Sequence, residues 1–400
     1  GVKVAKIMAV NAGSSSLKFK LLELPEEKVI TNGVVERIGL DDAIYSITVN
    51  GKKEKQVLAI KDHAVAVKLV LDDLVKRQIV KCLDEIEGVG HRVVQGGWYF
   101  KDSALVTDDV IKKIEKLSVL APLHNPAHVV GIKAFQKALP DVPQLVVFDT
   151  SFHQTMEPET YMYATPYEWY EKHHIRKYGA HGTSHKYVAG VCLDLLKKKN
   201  AKIVTLHIGN GASLAAVKNG KVVDTTMGLT PLEGIPMGTR SGNIDPTVLQ
   251  VINEKEGLSI QELIYILNNK SGYLGVSGVS HDSRDVEEAM DAGNKRAKLA
   301  LDIQFKRIAD YIGSYYVLMG GLDAIVFTAG IGENSWYCRQ EISRRLKVLG
   351  VEIDEEFNKK TRGQLKELST PKSKVKVYII PTDEEVMIAR DVVRIVKKAK

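Results

Sequence analysis

Two spacings of apolar residues alternate along the chain. Short apolar runs, rich in β-branched residues and bounded by turn residues, are followed by longer segments whose apolar positions return every three or four residues. The short runs predict strands at Ala5–Asn11, Leu17–Leu22, Lys28–Val35, Gln144–Phe148, Lys202–Ile208, Ser213–Lys218, Lys221–Thr225, Ala324–Thr328 and Val375–Ile380. The longer segments predict helices at His63–Arg77, Pro126–Ala138, Ser184–Lys198, Lys295–Leu318, Gln340–Leu349 and Glu384–Lys398. Strands interleaved with helices place the chain in the α/β class.

One pattern occurs twice. KIMAVNAGSSSLKFKLLE, starting at Lys6, reads as strand, small polar turn, strand. IVTLHIGNGASLAAVKNGKVVDTTMG, starting at Ile203, reads the same way and adds a strand through Asn219-Gly220, a strong hairpin signal. The two copies lie about two hundred residues apart, half the chain, which argues for duplication. A two-lobed protein with nucleotide in the cleft follows, each hairpin turn offering backbone N–H groups to phosphate. The chain contains no GxxxxGK[ST], which argues against a P-loop ATPase.

Composition narrows the class. The 400 residues suffice for two or three domains, and 44% apolar with 26% charged residues fits a globular protein with a sizeable core. No apolar run approaches the roughly 18 residues of a membrane helix, and GVKVAKIMAV does not read as a signal peptide, so a cytoplasmic protein is expected. Cys82, Cys192 and Cys338 match no metal spacing and are expected to be reduced. The net charge of +7 would attract small anions. The runs Lys197–Lys199 and Lys397–Lys400 read as solvated helix faces, with no nucleic-acid partner implied.

Nine motifs follow one another in the order NAGSSSLKF, GHRVVQGG, APLHNP, VVFDTSFHQTM, HGTSHKYV, HIGNGAS, MGTRSGNIDP, FTAGIGENS and PTDEEVMIAR. This series resembles the acetate kinases (acetokinase family) over nearly the whole chain. The resemblance implies a homodimer in the superfamily of acetate and sugar kinases, chaperone ATPases and actin. Its fold would be a two-lobed, actin-like (RNase H-like) duplicated α/β fold with central mixed sheets, of five strands each, flanked by helices. Residues 1–150 and 385–400 would form an N-terminal acyl and phosphate lobe, and residues 151–384 a nucleotide-binding lobe. The implied reaction is ATP plus acetate giving ADP plus acetyl phosphate, with Mg²⁺ or Mn²⁺.

The chemistry agrees with the residue types. Carboxylic acids ionise near pH 4, so acetate needs no strong base to become a nucleophile. The barrier is bringing one anion to another, and cations with correct positioning lower it. Arginine forks onto carboxylate or phosphate oxygens. The resemblance implies that Arg92 holds the carboxylate and Arg240 the transferring phosphoryl. It implies that His181 donates to that phosphoryl, that His124 is a second such donor or a structural residue, and that His207 lies along the phosphates. His181 and His185 have the spacing of a zinc pair, but Gly182 replaces the glutamate of HExxH. Asp149 ends an apolar strand, where it can support Mg²⁺ or hold Arg92. Glu384 and Asn11 would hold Mg²⁺, partly through water. Ser14, Ser16 and Lys18 would face the metal and phosphates, with Ile208, Gly209, Asn210 and Gly211 from the second hairpin. Asp282, Ser283, Arg284, Gly330, Ile331, Gly332, Glu333 and Asn334 would form the adenosine side. Val93, Leu123, Ala180 and Pro231 map to the apolar wall around the acetate methyl.

The chain departs from the family pattern at Gln95 for His, Trp98 for Glu, Ala180 for Phe and Ser280-His281-Asp282 for Ser-Ser-Asp. Loss of a ring at Ala180 leaves two readings open. Either a neighbour such as Trp98 refills the space, or the pocket takes propionate or longer chains. Loss of Glu at position 98 would matter if that carboxylate braces Arg92. Two rival functions are a superfamily kinase acting on a hydroxyl, with Asp149 as base, and a non-enzymatic actin-like or chaperone-like nucleotide switch.

Overall fold

The computed structural model describes residues 3–399. Gly1, Val2 and Lys400, which belong to the expected first lobe and to the C-terminal lysine run, lie outside the described residues. The chain forms two compact units. One extends to Ser151 and resumes at Asp383, and the other is Phe152–Thr382.

The first unit contains β1 (Ala5–Ala12), β2 (Leu17–Leu24), β3 (Lys28–Glu36), β4 (Ala43–Val49), β5 (Lys52–Leu58), β6 (Ile86–Val93), β7 (Ala104–Leu105) and β8 (Gln144–Phe148). They form one mixed sheet in the order β5-β4-β3-β2-β1-β6-β8-β7. The second unit contains β9 (Lys202–Ile208), β10 (Ala212–Lys218), β11 (Lys221–Thr225), β12 (Ala324–Thr328), β13 (Lys366–Glu367) and β14 (Lys376–Ile379), in the order β11-β10-β9-β12-β14-β13. Strand β1 is antiparallel to β2 and parallel to β6, which is parallel to β8. Likewise β9 is antiparallel to β10 and parallel to β12, which is parallel to β14. The series β3-β2-β1-β6-β8 therefore repeats as β11-β10-β9-β12-β14.

The sheets have eight and six strands where five each are expected. The five-strand pattern is the shared centre, and the additional strands lie at the edges. Strand β5, KKEKQVL, is exposed over almost its whole length. Such a charged edge resists pairing with other chains and carries no apolar alternation to be read. Strand β6 escapes the sequence pattern for another reason. Gly88 and Gly90 interrupt it, and glycine inside a strand often marks a close approach of other atoms. A Cβ on Gly90 would collide with Ile388, and also lie 2.8 Å from Val392. Both belong to the final helix, Glu384–Ala399, whose buried face includes Val386, Ile388, Ala389 and Val392. The glycines thus let this helix, which Glu384 opens, lie directly on β6, the strand that carries Arg92.

In the second unit both sheet faces are buried, as strand alternation with helices on either side requires. Val204, Leu206 and Phe327 pack on one side, with Phe305 and Ile308 of the helix Lys295–Met319. Ile203, Val217 and Val326 pack on the other, with Val188 and Cys192 of the helix Gly182–Leu196. All three cysteines are free thiols. Among the described residues, no helix is long and apolar enough to cross a membrane.

Replacing Gly90 by Ala should force the final helix off β6. We expect a loss of about 1–3 kcal/mol in the stability of the first unit, read from the midpoint of denaturant unfolding. An unchanged midpoint would show that the helix can shift without penalty.

Candidate active site

In the first unit the turn between β1 and β2 is held from inside. Gly13 N donates to Ser16 O at 3.0 Å. The buried His63 donates from Nε2 to the carbonyls of Gly13 and Ser16, at 2.8 and 3.1 Å. His128 donates from Nδ1 to Ala12 O at 2.9 Å. These donors occupy carbonyl oxygens of the turn, while Ser14 and Lys18 stay exposed and Asn11 and Ser16 are half-buried. No local pattern in the sequence identifies His63 or His128, because their partners lie about fifty and more than a hundred residues away.

Beside this turn, parallel pairing of β6 and β8 sets Arg92 opposite Val147, two residues before Asp149. The Arg92 guanidinium forks onto the Asp149 carboxylate, Nε to Oδ1 at 3.0 Å and Nη2 to Oδ2 at 2.6 Å. Asp149 is 2% exposed, so its charge is matched by this arginine, whose pKa it raises. Asp149 therefore has the contact with Arg92 that the sequence leaves as one of two roles. Residue 98 is not needed as a brace: Trp98 packs on Tyr99, ring centroids 4.8 Å apart. Gln95 shapes the turn after β6, its Oε1 accepting from Gly97 N at 2.7 Å.

Glu384 opens the final helix. Burial pushes its carboxyl up to about 7; Arg92 pulls it down, and Asp149 and Glu385 push it further up. Asn11, Lys18, Arg92, Glu384 and Glu385 line one small concavity. The oxygens of Asn11, Glu384 and Asp149 are hard donors, and among the described residues no group of three His, Cys, Asp or Glu forms a metal cage. Such a sparse oxygen set suits a divalent cation that keeps much of its water. His128 Nε2 is a buried acceptor with no partner among the described residues, on a ring whose burial lowers its pKa to about 4, and Arg92 and Asp149 act on it. An unsatisfied buried lone pair within the field of Asp149 fits a site that takes hydrated cargo.

In the second unit the turn between β9 and β10 is Gly209-Asn210-Gly211. A Cβ on Gly211 would lie 3.2 Å from Arg240 Nη1 and 3.6 Å from His181 Nε2. The missing side chain lets both groups reach the turn. Arg240 contacts Pro231 O at 3.5 Å and Met237 Sδ at 3.7 Å, and no carboxylate pairs with it among the described residues. Burial lowers its pKa. A cation held half-buried without a counter-charge is a site for an anion.

His181 sits just before the helix Gly182–Leu196 with φ 57°, a strained value for a residue with a side chain. Its ring stacks on His207 at 4.1 Å, and its Nδ1 is 2.8 Å from Ser213 Oγ. His207 Nδ1 is 2.8 Å from Ser184 Oγ. Ile208 is fully buried and contributes backbone only.

A cavity of about 360 Å³ adjoins the same turn. Of the predicted adenosine residues, Gly209, Asn210, Asp282, Ser283, Arg284, Gly330, Ile331 and Asn334 line it. Gly332 and Glu333 are engaged elsewhere. Gly332 O accepts from the buried Arg339, and Glu333 Oε2 accepts from Thr382 N at 3.2 Å. His281, Glu287, Ser335 and Arg362 also line the cavity and escape the sequence reading. Glu287 was within reach, since it lies one helical turn beyond Ser283 and Arg284. Arg362 carries no signal, being far along the chain. The Arg284 guanidinium holds Asp282 at about 2. The remaining predicted positions vary. Val93 is fully buried, Leu123 is 80% exposed, His124 is exposed, and Ala180 is 3% exposed.

A family model described as the acetokinase family matches residues 6–390. The chain belongs to that family. An acetate kinase of Acholeplasma laidlawii is 58% identical over 394 residues, covering 98% of this chain and all of the relative. The crystal structure of Porphyromonas gingivalis acetate kinase superposes with a TM-score of 0.94 at 45% identity, covering 98% of this chain and 100% of that one. A propionate kinase structure from Francisella tularensis gives 0.92 at 41% identity, covering 98% and 99%. The acetokinase fold thus accommodates Gln95, Trp98 and Ala180 without losing its architecture.

Replacing Asp149 by Ala would leave the Arg92 guanidinium largely buried and unpaired. We expect a loss of about 3 kcal/mol in the first unit's stability, measured by denaturant unfolding. A loss below about 0.5 kcal/mol would mean that water replaces the carboxylate and that the fork is not structural.

Proposed function

We propose that this acetokinase-family enzyme transfers the γ-phosphoryl of ATP to acetate, reversibly, giving ADP and acetyl phosphate. The observation that carries the proposal is the uncompensated Arg240 guanidinium beside His181 at the Gly211 backbone. The family supports a carboxylate kinase that uses ATP. In this reading the nucleoside occupies the cavity beside Asn210, and the phosphates follow Gly209-Asn210-Gly211 towards Arg240. Arg240 and His181 meet the charge on the transferring phosphoryl oxygens, where fixed donors act without reorganising. Arg92, two of its nitrogens tied to Asp149, keeps Nη1 for the substrate carboxylate.

The first-unit residues Asn11 and Glu384, supported by Asp149, would hold a divalent cation, Mg²⁺ with Mn²⁺ as the substitute. When bound it supplies positive charge to the phosphate oxygens. Ser14, Ser16 and Lys18 would face those phosphates. The protein would work in the cytoplasm as a homodimer. Exposed apolar side chains on the helices Thr247–Glu256 and Ile260–Asn269, among them Val251, Ile260 and Tyr265, support association.

The preference for acetate is supported by Ala180, which is 3% exposed and packed in the second unit's core, so the missing ring leaves no open space there for a longer chain. A propionate preference is the second reading, motivated by the 41% identical propionate kinase. Trapping the acyl phosphate with hydroxylamine separates these readings and also excludes a hydroxyl kinase or a nucleotide switch, neither of which yields a hydroxamate. We expect acetate to exceed propionate by about tenfold in kcat/KM, the scale of one methylene. Arg240→Ala should lower kcat by about 100-fold or more. Wild-type turnover in Arg240→Ala would overturn the role given to this residue.

A further inference from the structure

A chain of hydroxyl and imidazole groups leads from the buried sheet to His181. His185 is fully buried, and its Nδ1 lies 2.7 Å from Thr205 Oγ1 while its Nε2 lies 2.8 Å from Ser213 Oγ. Ser213 Oγ is in turn 2.8 Å from His181 Nδ1. Thr205 and Ser213 are both fully buried. Hydroxyl hydrogens at such positions must be used, because water cannot take them.

Counting protons along this chain leaves one arrangement. His185 is neutral, since burial lowers its pKa well below the usual value, and it carries a single N–H. Suppose that N–H sat on Nδ1 and pointed at Thr205. The threonine hydrogen would then have only Ala215 O, at 3.5 Å, a distance at which a hydrogen bond is barely made. In the opposite sense every contact is satisfied at 2.7–2.8 Å. Thr205 donates to His185 Nδ1, His185 Nε2–H donates to Ser213 Oγ, and Ser213 O–H donates to His181 Nδ1. A third arrangement, with both imidazoles donating to Ser213, would leave the serine hydrogen buried and unused.

We propose that Thr205, His185 and Ser213 are positioning residues that hold His181 as its Nε2–H tautomer, so that the neutral ring presents a donor beside Gly211 and Arg240. Ser213 both accepts from His185 and donates to His181, so the direction set at Thr205 is passed to the reacting edge of His181. A neutral donor at Nε2 adds no second full charge next to Arg240, which already stands without a carboxylate. Neighbouring groups that bear on the His181 titration include Arg240 across Gly211, His207 stacked on the ring at 4.1 Å, and His185 at 6.4 Å. The catalytic consequence rests on the phosphoryl role proposed above, but the tautomer itself does not.

The direction of the chain has an observable sign. If Ser213 donates to Nδ1, it uses the lone pair that a second proton would need, and it lowers the His181 pKa. Removing it in Ser213→Ala should raise that pKa by about 0.5–1 unit, the size of one hydrogen bond. If instead Nδ1–H donated to Ser213, the same substitution would lower it. The test is nitrogen-15 NMR of the full-length protein labelled at histidine, titrated with pH, with the His181 signals identified by their loss in His181→Gln. We expect His181 to be protonated at Nε2 above its pKa, the pKa to rise in Ser213→Ala, and both properties to be retained in Ser213→Thr. Protonation at Nδ1 in the wild type overturns the proposal, as does an unchanged or lowered pKa in Ser213→Ala. If Ser213→Ala fails to fold, the wild-type spectrum alone decides. Because the spectrum needs no turnover, its outcome is separate from that of the Arg240→Ala assay.

Discussion

Arg240 is held half-buried beside His181 with no carboxylate to neutralise it. Proteins seldom accept this arrangement, because a desolvated charge without a partner destabilises the fold. Arg92 shows the usual solution, with both oxygens of Asp149 accepting from its fork. The two arginines therefore stand in different electrostatic states. One is settled by the fold, whereas the other retains an attraction that an anionic ligand can satisfy. The strained backbone of His181 and the bare Gly211 serve the same arrangement, since both bring donors to one point.

The scaffold explains why the donors lie where they do. Both sheets place a turn of small residues after their first central strand, Gly13–Ser16 in one and Gly209–Gly211 in the other. In both, a parallel strand lies beside the first, so helices can cover the sheet and hold the turn from inside. His63 and His128 do this for the first turn by taking its carbonyl oxygens. In the second, Ser213 on β10 and His185 on the helix Gly182–Leu196 reach His181 from below.

Much of this was legible in the sequence, and the failures have physical causes. The repeated hairpin and the long helices follow from local spacing, whereas the arginine motifs stand out through the resemblance to the acetokinase family. Strands β5 and β6 were missed because a charged edge and two helix-accommodating glycines erase the alternation that marks a strand. Most of the predicted adenosine residues line one cavity, because the motifs that carry them are continuous in sequence. Arg362 joins it through tertiary structure alone, whereas His281 directly precedes the predicted run Asp282–Arg284. Gly332 and Glu333 turn away, Glu333 towards Thr382, although Ile331 and Asn334 on either side remain, since successive residues on a helix turn face different directions. The sequence leaves open whether loss of a glutamate at position 98 removes a brace from Arg92, and Asp149, just after β8, holds that arginine with both oxygens.

The most direct test of the central claim is the affinity of the protein for acetyl phosphate without nucleotide, measured by titration calorimetry at increasing salt, for wild type and Arg240→Gln. An uncompensated guanidinium predicts binding that weakens with salt in the wild type, and at least about tenfold weaker binding with a flatter salt response in Arg240→Gln. Equal affinity and equal salt dependence in the two folded proteins would contradict it.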